Sequence, residues 1–201
     1  MKFIGTCDIF LVMVPAILIA GGVGFSLLLV PDLCRRARRH RLAVPAFAFG
    51  CAAVLLALVL EVTSFRAAGP LFLRVAAAIL SGVFAVLLAY SAVIEIPLHR
   101  RFSAGGTGIT LYTEGTYRLS RHPGLLWFLL MQASLNVIFL DATFILVSAV
   151  LVLGDLILVF IQDRYLFPLL LPCYADYKLR VPFLFPRIYA GKHDKAWATR
   201  F

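Results

Sequence analysis

Arg121 and His122 stand immediately before Pro123, where an uncharged stretch reaching residue 140 begins. Proline suits the first position of a helix, since it has no N–H to leave unpaired. A helix start offers free N–H groups and the positive end of the helix dipole. With Arg121 and His122 beside it, this makes a place for an anionic group such as a carboxylate. The same side chains suit a plainer role as anchors at a membrane interface, and the residue types alone weigh the two equally. Farther along, Gln162, Asp163 and Arg164 close another apolar stretch, and Tyr174 and Tyr177 follow. A carboxylate at the C-terminal end of a helix opposes the dipole. Asp163 therefore needs compensation, which a cation, a ribose diol or Arg121 would provide.

The elements that must position these groups are membrane helices. Of 201 residues, 62% are hydrophobic, above the share usual in soluble domains. The excess is gathered into blocks at 9–30, 42–60, 75–94, 124–140 and 142–161, with Asp155 the one charge among them. Each block is near the roughly 20 residues that a helix needs to cross the hydrocarbon core. In lipid the backbone must satisfy its own polar groups, so these blocks are expected to be helices. The pattern does not alternate as a membrane barrel's does. The first block is long and runs into Pro31 and an arginine cluster, so it reads as a retained helix rather than a cleaved leader.

Five helices place segments 31–41, 95–123 and 162–201 on one side, and these hold 16 of the 19 Lys and Arg. Cytoplasmic loops carry such an excess. The N-terminus is therefore expected outside and the C-terminus in the cytoplasm. The net charge of +9 follows from this topology and asks for no nucleic acid. Cys7, Cys34, Cys51 and Cys173 show no CxxC spacing, and neither a disulfide framework nor a metal site is expected. The chain reads as one all-α, polytopic membrane domain: three helices in 1–96, a region with two more in 97–190, and a tail at 191–201. The external loops, 61–70 and the turn at Asp141, are short, with Asp141 a cap for the fifth helix. Gly21, Gly22 and Gly24 suit close helix packing. On the inner side, Gly105, Gly106 and Gly108 form a turn but lack the Lys-Ser/Thr ending of a phosphate loop. Asp155, inside a span, is a functional candidate by default; a hydrogen bond to Gln132 or Asn136 is at least as good an account.

Two motifs flank the last helical hairpin. Glu114, Gly115, Tyr117, Arg121, His122 and Pro123 form the first. Leu166, Tyr174, Tyr177, Val181, Pro182 and Pro186 form the second. In these residues, over about 111–190, the chain resembles the isoprenylcysteine carboxyl methyltransferase family. That family belongs to a wider group of membrane methyltransferases that includes phospholipid methyltransferases. The chain departs from the family pattern at Leu125, where a Tyr is usual, at Gln162-Asp163, where a Glu pair is usual, and at Leu170-Leu171, where Phe-Gly is usual.

The resemblance implies S-adenosylmethionine as methyl donor and a membrane lipid or isoprenoid-like acceptor entering between helices. It implies a cytoplasmic cofactor site built from the 97–123 loop and the C-terminal segment. Arg121, His122 and the helix start at Pro123 would face the cofactor's carboxylate, and Asp163, with Gln162, its hydroxyls or amino group. Gly115, Tyr117, Leu125, Tyr174 and Tyr177 would complete the pocket. Methyl transfer needs alignment and water exclusion more than covalent help. A carboxylate acceptor would need only orientation, by Arg121 or Arg164. An amine or hydroxyl would need a base, and His122 is the motif's one candidate. Two rivals stand beside this: an NADPH-dependent membrane reductase of the sterol reductase type, and a non-enzymatic scaffold. The Tyr-x-x-Tyr and Val-Pro ending favours the methyltransferase.

Overall fold

The computed structural model describes residues 6–37, 40–95 and 111–186. The glycine cluster at 105–108, residues 97–110 of the 97–123 loop and the 191–201 tail lie outside the described residues. Among the described residues the regular structure is all helix, with no strand. Helix α1 runs Thr6–Arg36, α2 Ala43–Ser64, α3 Leu71–Ala89 and α4 Pro123–Phe139. Helix α5, Ala142–Ile161, continues through a widened π turn, Gln162–Leu166, into a last α turn, Phe167–Leu170. A short α6 follows at Tyr174–Arg180. Four helices are long and apolar enough to cross a membrane, and α4 is a shorter apolar one of 17 residues. The chain is thus an integral membrane protein with about five spans.

The packing order places α1 against α2 and α5, α5 against α4, and α4 against α3. The core sits where α1, α2, α4 and α5 meet, around Ile17, Phe25, Ala57, Phe128, Met131, Phe144, Val147 and Leu151. Gly21 and Gly24 of α1 pack closely as expected, against Leu151 and Val54, whereas Gly22 faces open space. A Cβ at Gly24 would lie 2.9 Å from the Val54 backbone nitrogen on α2. Backbones this close gain dispersion contacts that lipid cannot supply. The α4–α5 turn is equally tight. Leu140 is left-handed at φ 49, and Asp141 Oδ1 accepts from the Thr143 and Phe144 N–H groups at 2.8 and 3.0 Å. Phe139 and Phe144 stack across it at 4.4 Å.

Two boundaries differ from expectation. The second span does not stop before Glu61: α2 continues to Ser64, and Glu61 is fully buried. Its oxygens take hydrogen bonds from Gln132 on α4 (3.0 Å) and Ser148 on α5 (2.9 Å), so a residue expected in a loop joins three helices. This also removes Gln132 as a partner for Asp155, which makes no hydrogen bond or ion pair among the described residues. Nor does α5 end at Asp163. The helix persists to Leu170, a run of 29 residues, or about 43 Å at 1.5 Å per residue. Helix α4 spans only about 26 Å by the same measure. The end of α5 therefore passes beyond the start of α4, and residues 111–122 and α6 fill the space beside it.

Candidate functional site

Each of two π turns places a buried carboxylate in this space. Such turns shift the side-chain register of a helix and often mark functional positions. The first, Tyr90–Glu95, ends α3 and turns Glu95 inward. Glu95 accepts from the Thr116 N–H at 2.8 Å, the Tyr112 hydroxyl at 3.1 Å and the Thr116 hydroxyl. Gly115 sits at φ 55, and a Cβ there would lie 1.7 Å from Glu95 Oε1, so any side chain there would be strained and would displace the carboxylate. Tyr117 donates to the Ser91 carbonyl at 3.2 Å and packs edge-on against Tyr112. Burial, then the bond to Glu95, pushes the Tyr112 phenol up to about 12. The first motif is thus anchored to the end of α3 through a residue the motif does not contain.

The second π turn carries Asp163. Its Oδ1 takes Arg121 Nη1 at 2.8 Å, His122 Nε2 at 3.2 Å and the Tyr174 hydroxyl at 2.6 Å. Its Oδ2 lies 2.7 Å from Lys178 Nζ. Asp163 is 7% exposed and His122 6%. The compensation expected for this carboxylate is supplied by Arg121 and Lys178 together. Lys178 follows Tyr174 by one helical turn on α6, and so reaches the same oxygen pair.

The two motifs are also joined through their backbones. The Arg121 N–H donates to the Pro182 carbonyl at 3.0 Å, and the Ser120 hydroxyl to the Phe183 carbonyl at 3.1 Å. The Tyr177 hydroxyl donates to the Tyr117 carbonyl at 2.6 Å. Phe167 stacks on the His122 ring at 5.9 Å, with Phe183 at 5.1 Å, while Arg121 lies over the Phe183 ring. Burial holds His122 below its ordinary value near 6.5. Arg121 and Lys178 add to this and outweigh, with burial, the opposing pull of Asp163. A neutral ring whose Nε2 faces a carboxylate carries its proton there. Tyr174 is pushed well up by burial and by its bond to Asp163. Tyr177 is pushed up by burial and the nearby carboxylates, against Arg121. Both therefore stay phenols and donors.

The remaining candidates are placed as follows. Pro123 and Leu125 are buried at the start of α4. Gln162 turns away from Asp163 and donates to Asp32 Oδ2 on α1 at 2.9 Å, so it braces α5 against α1. Arg164 is exposed and makes no ion pair among the described residues, unlike Arg121. Four further residues of the site, Glu95, Lys178, Asp32 and Ser120, are not singled out by the sequence. A lone carboxylate ending an apolar block, as at Glu95, is the one signal that could find any of them. No protein-family model matches the chain, and neither curated proteins nor solved structures give a match.

Proposed function

We propose that the chain is an integral membrane methyltransferase that uses S-adenosylmethionine and a lipid-like or isoprenoid-linked acceptor. The observation that carries this is the Asp163 cluster, in which residues from both motifs meet at one end of the bundle. Two fixed cations, Arg121 and Lys178, face one carboxylate there, with His122 neutral. The surplus positive charge suits an incoming carboxylate. Arg121 Nε is buried with no hydrogen-bond partner, so the donor set has capacity for one. Phe167, Phe183 and Tyr174 supply aromatic surface for a nucleobase.

Bound there, S-adenosylmethionine would supply an electrophilic methyl group on a sulfonium centre. Arg121, with Lys178, would hold its carboxylate. Asp163 would accept from its amino or hydroxyl groups once these cations shift toward the ligand. The aromatic cover and the buried start of α4 would exclude water. His122, neutral near pH 7, is able to take a proton from an amine or hydroxyl acceptor. A carboxylate acceptor would leave that role unused, and Arg164, exposed beside the cluster, would orient it. We place this end of the bundle in the cytoplasm, on the strength of its basic segments.

The test is a titration of the reconstituted protein with S-adenosylmethionine, its demethylated product and NADPH. Saturable binding of the first two, without NADPH, supports the proposal. Binding of NADPH alone would move the chain to the reductase reading. Binding of none would leave a scaffold.

A further inference from the structure

Gln132, in the middle of α4, is 1% exposed. It gives its amide NH2 to Glu61 Oε2, and Ser148 donates to Glu61 Oε1. Both Glu61 oxygens are thereby engaged, and the Gln132 amide is held with its carbonyl turned away from them. That carbonyl oxygen, Oε1, is buried without a hydrogen-bond partner, and so is Oδ1 of Asn136 one turn along α4. Within hydrocarbon no water offsets such a loss, so buried acceptors there call for a donor. Both residues line a cavity of about 350 Å³ between α4 and α5, with Leu129, Leu153 and Leu156 among its other walls. Leu153 and Leu156 are exposed on the lipid side. The cavity is thus an apolar groove, open to the bilayer, with two unpaired amide oxygens buried just behind its wall.

We propose that this groove is an intramembrane binding site for an uncharged, single-chain amphiphile bearing a hydroxyl, such as a long-chain alcohol. The free atoms are amide carbonyls, which accept from any donor; desolvating an ammonium in hydrocarbon costs far more than desolvating a hydroxyl, so the donor is a neutral one. The volume is near the lower end for small-molecule pockets, about 300–1,000 Å³, and suits one chain rather than the bulk of a two-chain lipid. Gln132 lies about 15 Å along α4 from His122. The site is distinct from the Asp163 cluster and does not depend on methyl transfer.

The protein is reconstituted in phosphatidylcholine nanodiscs, without any nucleotide. Saturable binding of radiolabelled hexadecanol is compared with that of its methyl ether, which has the same chain and no donor. The alcohol is expected to bind about two- to tenfold more tightly, the value of one hydrogen bond. Asn136→Leu should bring it toward the ether, and Leu153→Trp should weaken both. Gln132→Leu strands Glu61 and risks the fold. Asn136→Leu, with helicity checked by circular dichroism, therefore carries the test. Equal binding of alcohol and ether overturns the proposal, as does a preference unchanged by Asn136→Leu. Disulfide capture between two copies through Ala149→Cys, with alcohol excluded, would assign the groove to self-association and also overturn it.

Discussion

Arg121 Nη1 lies 2.8 Å from Asp163 Oδ1, a pair separated by 42 residues in the chain and buried where α4 begins and α5 passes beyond it. The same oxygen takes His122 and Tyr174, and the carboxylate's other oxygen takes Lys178. Each member of the cluster is therefore a probe of both the fold and the proposed ligand.

Arg121→Ala should weaken S-adenosylmethionine binding while the protein stays inserted. A charge-assisted contact to an anionic group is worth about 1.5–3 kcal/mol, or roughly 10- to 150-fold in affinity. Calorimetric titration of the reconstituted variant measures this. Affinity equal to that of the parent would place the pocket elsewhere.

Asp163→Asn should be destabilising. Were Asp163 an uncompensated helix-end carboxylate, removing its charge would relieve the dipole and cost nothing. Instead the substitution leaves Arg121 and Lys178 facing each other across a buried amide. Loss of one partner from a buried ion pair costs about 3–5 kcal/mol, and the partial exposure of Lys178 puts the value at the lower end. Thermal unfolding in detergent without ligand reads it. An unchanged or higher midpoint would contradict the geometry.

The pH dependence follows from His122. Its folded-state value lies below the ordinary one near 6.5, so the unfolded chain binds a proton that the folded chain resists. Stability from this group is present above that ordinary value and is lost as pH falls through it. The slope for one proton approaches about 1.4 kcal/mol per pH unit. Unfolding followed from pH 8 to pH 5 should show this decline, and His122→Gln should flatten it. Parallel profiles for the two proteins would rule out the assignment.

Gly115→Ala places a methyl group 1.7 Å from Glu95 Oε1 at a φ of 55. The left-handed backbone alone costs about 1–2 kcal/mol, and the displaced carboxylate loses its bonds to Thr116. Glu95→Gln should be destabilising as well. In a double-mutant cycle the two changes should be non-additive by at least about 0.5 kcal/mol. Strict additivity would show that Glu95 does not anchor this turn.

Much of the fold is legible in the amino-acid sequence. Hydrocarbon thickness and the need to satisfy every backbone group in lipid turn apolar block length into helices. The bundle, the α4–α5 hairpin and its Asp141 cap follow from that. Arg121, His122 and Asp163 are legible as candidates too, because a proline-started helix and a carboxylate ending an apolar stretch are local features; Tyr174 and Tyr177 are singled out through the family resemblance. Only the tertiary structure decides which helix satisfies each buried polar group. Glu61 looks like the first residue of a loop because a charge ends an apolar run. It stays inside a span because Gln132 and Ser148, on two other helices, supply its hydrogen bonds. Asp163 looks like a helix end for the same reason. The helix continues because Arg121, His122, Tyr174 and Lys178 surround the charge and let the backbone widen into a π turn rather than stop. Apolar periodicity along one segment measures where that segment can be buried. The partners that make a buried charge tolerable lie 42 or 87 residues away in the chain, and only packing brings them into contact.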